Sequence, residues 1–238
     1  MEKTNKYSPK IIYKQIIIDD DYIRKNYINN KLHLKHGQAS ENTIYILQYT
    51  IDKNLTLFND KQKQNLNKII STFYSEQNNV IAHESQHIHN HAIGYNYIAN
   101  SDNIYECMML CLADEMSAML AGYLNKTKNV DMALKKTINN LSGDVRSKYI
   151  SGQFNNHFKQ LQAIHGQNKN LYEHKFDSKK VRKLVDYYFT IDGQKVMNTM
   201  SKESLFLFEK FMTDIKTDIK KFINTQIINT QANSQVKY

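Results

Sequence analysis

His83, Glu84 and His87 fall within five residues, His83-Glu84-Ser85-Gln86-His87. On an α-helix, residues four apart stack on one face, about 6 Å apart along the axis, so both imidazoles can reach one metal ion. Glu84 projects to the side, where its carboxylate can hold a water on that ion and take its proton. The chemistry that these residue types and this H-E-x-x-H spacing serve is metal-assisted hydrolysis. The surroundings suit a helix with one buried side. Val80, Ile81, Ala82 and Ile88 supply an apolar flank, the residues between the histidines are uncharged apart from Glu84, and no Pro or Gly intervenes before Gly94.

Two further histidines follow, His89 and His91. His89 points away from the face shared by His83 and His87, and His91 lies about 12 Å along the axis from His83, too far to share an ion with it. A metzincin would carry Gly at position 90 and His at 93, where this chain has Asn90 and Ile93.

A catalytic zinc site takes three protein ligands and leaves the fourth position open. The segment Ile104 to Tyr123 reads as one helix and offers Glu106, Asp114 and Glu115, preceded by the polar turn Asn100-Ser101-Asp102-Asn103. If the two helices run antiparallel, depth selects among the acids. His83 and His87 lie roughly 10–16 Å back from Gly94, Glu115 roughly 18 Å into the second helix and Glu106 only about 5 Å. Glu115 can be brought level with the histidines, whereas Glu106 would sit nearer His91. Asp114 has the same depth as Glu115 but a shorter side chain, rotated about 100°.

At these residues the chain resembles the gluzincin group of zincin metallopeptidases. The matching positions are His83-Glu84-x-x-His87 and, after 27 intervening residues, Glu115-Met116-Ser117-Ala118. The resemblance covers about residues 80–122. It implies one zinc ion held by His83, His87 and Glu115, Glu84 as general base, and a peptide or protein substrate. It also implies a zincin-like fold, with a small sheet above the motif helix and an edge strand that pairs with an extended peptide. Met119 and Leu120 stand where some relatives carry an Asp, so a supporting polar role falls to Asp114 or Ser117.

Cys107 and Cys111 share a helical stripe with Glu115, and thiolates are good zinc ligands. Set among Met108, Met109 and Leu110, they read instead as small core hydrophobes. Two cysteines in 238 residues are no disulfide framework, which fits a reducing compartment.

With one Pro, seven Gly and no Trp, the chain has too little punctuation for a many-turned β-sandwich and favours long helices. No run approaches 18 apolar residues, and the N-terminus lacks the apolar stretch of a secretory signal, so the expected location is the cytoplasm. The net charge of +9 is divided as +3 over residues 1–100, −3 over 101–131 and +9 over 132–238. The basic excess therefore lies away from the motif. A nucleic-acid partner finds no zinc finger, RNP-like motif or compact Arg-rich run to support it.

The expected fold is mainly α with a small N-terminal sheet, as one domain over residues 1–223. Strands are expected at 11–18 and 42–51, with a short third at 54–58. A helix capped by Asn59-Asp60 should run from about 61 to 76, followed by the motif helix. Further helices are expected from Asn129 to about Asn140, at 144–164 and at 178–190, with Gly166 and Gly193 as breakers. From Ser201 a helix presents Leu205, Phe208, Met212, Ile215, Ile219 and Phe222 as an intramolecular core face. Residues 224–238 read as a polar tail.

The function these observations favour is a zinc-dependent peptidase. Two readings from other classes compete: a helical binding or regulatory protein whose metal site is structural or vestigial, and a basic nucleic-acid-binding protein.

Overall fold

A computed structural model describes residues 9–28, 31–92, 101–166, 170–172, 179, 190–191 and 194–235. Over these residues the protein is mostly helical with a small three-stranded sheet near its N-terminus, an α+β arrangement. It divides into two compact units, residues 1–88 and 89–238, and the boundary falls inside one long helix.

In the first unit, strand β1 (Lys10–Ile18) leads into a short helix α1 (Asp20–Asn26). Two small strands, β2 (Tyr27–Ile28) and β3 (Lys31–Leu32), pair antiparallel. β4 (Gly37–Ser40) then precedes β5 (Thr43–Ile51). The sheet order is β1-β5-β4, with β5 parallel to β1 over all nine residues and antiparallel to β4. β1 and β5 are the two strands expected from their Ile, Tyr and Thr content.

Residues 54–58 do not form the expected third strand. The backbone N–H groups of Thr56 and Leu57, which a ladder would need, donate instead to the Asp20 carboxylate at 2.9 and 3.0 Å. A hydrogen bond from the Thr56 hydroxyl, together with those backbone bonds, holds the Asp20 carboxyl below the usual carboxylate range. The third strand is β4, whose short polar sequence gives no apolar alternation to read.

Helix α2 (Asp60–Ala92) is a single element of 33 residues, not two. Asn59 accepts from the Gln62 N–H while Gln62 accepts from the Asn59 N–H, a reciprocal capping box. Between Asp60 and Ala92 there is no Pro or Gly, so the polar stretch 75–79 changes the helix surface without stopping the backbone ladder. Leu66 and Ile70 enter a core with Ile18, Ile23, Tyr49 and Leu55. Farther along, Val80, Ile81 and Ile88 pack on Ile44 and Ile46 of β5.

Gly37 makes that second contact close. A β-carbon there would lie 2.8 Å from the Tyr45 carbonyl oxygen and 3.1 Å from Val80 Cγ1, three residues before His83. The Gly37→Ala variant should therefore lose about 1–3 kcal/mol of stability, read from a lowered urea midpoint. An unchanged midpoint would mean that β4 can step aside.

In the second unit, helix α3 (Ile104–Thr127) is the central element. Asn103 caps it by accepting from the Glu106 N–H at 2.7 Å. Around it pack α4 (Val130–Asn140), capped by Asn129 as expected, α5 (Gly143–His165) and α6 (Lys202–Gln235). Met108, Leu112, Met116 and Leu120 of α3 meet Leu134, Ile150, Phe154, Phe208 and Ile215 in this core. By length and mean hydropathy α3 alone among the described helices is apolar enough to cross a membrane, yet 78% of that stretch is buried inside the fold. Its all-round apolar character is that of a central core helix.

α5 ends at Gly166, which adopts φ +78°. A small hairpin, β6 (Thr190–Ile191) and β7 (Gln194–Lys195), precedes α6. The expected helix at 178–190, the breaker Gly193 and the helix stop near Gly94 lie outside the described residues, apart from residues 179 and 190.

The buried seam of α6 is Ser204, Phe208, Phe211, Ile215, Ile219 and Ile223. It shares Phe208, Ile215 and Ile219 with the expected stripe, while Leu205 is exposed and Met212 and Phe222 are half-buried. Both stripes have helical spacing, and packing chooses between them. α6 continues to Gln235, through residues whose polar composition suggests a tail; Ile227 still packs on the core there, and no Pro or Gly stops the ladder.

Candidate metal centre

The motif lies on α2, as its spacing requires. Nε2 of His83 and Nε2 of His87 are 3.2 Å apart, and the rings meet edge to face with centroids 4.9 Å apart. Two nitrogens bound tetrahedrally to one zinc at 2.0–2.1 Å would stand about 3.3 Å apart. The pair is therefore set at the bite distance of a single ion, and without one the same two nitrogens can share a proton. His83, Glu84 and His87 are all half-buried. Ile88 and Gln86 are buried, so this part of α2 has the inner side that its apolar flank implies. His89 is half-buried and His91 exposed.

On α3 every residue from Ile104 to Gly122 is buried except Glu115 and Met119. These are one turn apart, so the helix has a single partly open line, and Glu115 is the one acid on it. The other two acids have work elsewhere. Glu106 accepts from the Asp102 N–H at 3.0 Å at the start of α3. Asp114, also buried, accepts from Asn90 Nδ2 at 2.6 Å.

Asn90 is the residue that the sequence reading passes over. It is wholly buried in the last turn of α2, and its amide also donates to Ser117 Oγ at 2.9 Å. The sequence does hold a signal for it. Asn90 follows His87 by three residues and His83 by seven, so all three share one helix face.

Cys107 and Cys111 are buried free thiols, in keeping with their place among core residues. Burial pushes the Cys107 thiol far above its ordinary range. Cys111 Sγ lies 3.1 Å from Nε2 of the buried His157 and 3.4 Å from the Tyr149 hydroxyl. Burial holds the His157 imidazole below the usual histidine range. His165 Nε2 contacts the Ser101 carbonyl oxygen at 2.9 Å, and Tyr123 accepts from Asn140. Tyr123, Tyr149, His157 and His165 thus each have a contact of their own within the second unit.

No protein-family model matches this chain, and comparisons with curated proteins and with solved structures find no match.

Proposed function

We propose that this protein is a zinc-dependent peptidase of the zincin type, with His83, His87 and Glu115 as metal ligands and Glu84 as general base. The observation that carries the reading is donor spacing: one ligand atom from each of His83, His87 and Glu115 lies within 4.8 Å of the others. Among the described residues this is the group of His, Cys and acidic side chains able to hold a metal ion. Two imidazoles and one carboxylate make a three-ligand set with room for a fourth partner, which is the composition of catalytic rather than closed structural zinc sites. Glu106 and Asp114 do not belong to that group.

Bound zinc would supply a Lewis acid that polarises the scissile carbonyl and makes a water more acidic. Glu84, next to His83 on α2, accepts a proton from the attacking water and delivers it to the leaving amine. His83 and His87 hold their imidazoles at the bite distance and stay neutral to do so. The substrate is a peptide or protein, and two reduced buried thiols suit a cytoplasmic setting.

Metal analysis tests the reading directly. The chain purified with zinc present should hold one equivalent, and a chelator should stop peptide hydrolysis, with activity restored on adding zinc back. Hydrolysis that survives full chelation would remove the metal from the mechanism.

A further inference from the structure

Asn90 connects the motif helix to the acid-bearing helix. It lies about 4.5 Å beyond His87 along α2, on the face that carries both histidines. Its amide donates to Asp114 at 2.6 Å and to Ser117 at 2.9 Å, and Ser117 Oγ in turn donates to the Asp114 carbonyl oxygen at 2.8 Å. All three residues are buried, so these bonds are shielded from competing water. The bond to the Asp114 carboxylate is charge-assisted and short, the kind that fixes geometry most strongly. It joins the last turn of α2 to the turn of α3 that presents Glu115.

We propose that Asn90 is a positioning residue for the metal centre. By pinning α2 to Asp114 and Ser117 it sets the depth at which His83 and His87 meet the Glu115 carboxylate. The inference rests on the metal-site reading above. The side-chain type follows from the geometry. Asp at position 90 would place a second carboxylate 2.6 Å from the first, and Gln, longer by a methylene, would push the helices apart in a packed interior. Asn supplies a donor of the right length without a charge.

The test measures zinc affinity by competition with a chromophoric chelator, together with the visible spectrum of the cobalt-loaded protein and the melting temperature of the metal-free form. Asn90→Asp should bind zinc about 10–100-fold more weakly, as is usual when a group supporting metal ligands is lost. Its cobalt spectrum should change as well. The double variant Asn90→Asp/Asp114→Asn reverses donor and acceptor while keeping the bond, and should recover affinity to within about threefold of the native chain. A residue needed only for folding would lower the metal-free melting temperature and leave affinity and spectrum unchanged.

A folded Asn90→Asp variant that binds zinc like the native chain overturns the proposal. So does a folded double variant that stays as weak as the single one. Should Asn90→Asp not fold, Asn90→Ser keeps a donor too short to reach both partners; weaker binding with an altered spectrum supports the proposal, and native affinity overturns it. His83→Ala separates the two levels of inference. If the native chain binds zinc and His83→Ala does not, failure at Asn90 concerns the positioning role alone. If neither binds zinc, the metal-site reading fails and takes this proposal with it.

Discussion

Glu84→Gln should keep its zinc and lose its activity, hydrolysing a peptide substrate about 10²–10⁴-fold more slowly than the native chain, the range that a positioned general base contributes. Gln has nearly the shape of Glu but accepts no proton, so the substitution removes the chemistry while disturbing little else. Glu84 is half-buried and follows His83 by one residue, about 100° around α2, so it is not placed to share the ion with the histidine pair. Zinc content and chelator-competition affinity should therefore match the native protein. Because the proton is transferred only on the way to the transition state, the loss should appear in kcat, with KM nearly unchanged. A Glu84→Gln variant that binds zinc and keeps full activity would rule out Glu84 as the base. If it loses zinc instead, Glu84 belongs to the ligand set.

That such a variant can be specified at all reflects which parts of the molecule local sequence controls. β1 and β5 were legible because β-branched and aromatic residues dominate both, and α3 because its apolar run is long and uninterrupted. The caps at Asn59, Asn103 and Asn129 are local devices, each written in the few residues they bridge. What local reading misses depends on distant partners. Asp20 captures the N–H groups of Thr56 and Leu57 across 36 residues of chain, and so a segment with strand-like composition becomes a loop. The polar stretch 75–79 looks like a boundary, but without Gly or Pro the helix runs on. On α6 two overlapping apolar stripes satisfy the same period, and only the packing of Phe211 and Ile223 decides which is buried. The candidate site divides in the same way. The pairing of His83 and His87 follows from spacing alone, whereas the claim of Glu115 over Glu106 and Asp114 depends on which acid offers an oxygen within 4.8 Å of both imidazoles. Asn90 gains its meaning only when its partners on α3 are known.

Removing one ligand gives the second large effect. His87→Ala should weaken zinc binding by about 10²–10³-fold, since 10–16 kcal/mol spread over four zinc ligands is about 2.5–4 kcal/mol for each. The consequence for stability is separable from the consequence for folding. Native protein held at a free zinc concentration 100 times its dissociation constant gains about 2.7 kcal/mol over the metal-free form, because the ion binds only the folded state. The melting temperature of the native chain should therefore rise with zinc and fall with chelator. His87→Ala should melt at one temperature in both conditions, close to that of the metal-free native chain, because His87 is only half-buried and its truncation opens little core. His91→Ala is the matched control: it removes an exposed histidine from the same turn region of α2 and should keep the full zinc-dependent shift. A His87→Ala variant that retains that shift would place the ion elsewhere. Equal loss in His87→Ala and His91→Ala would mean that the His-rich end of α2 binds zinc loosely, with no defined three-ligand centre and no basis for hydrolysis there.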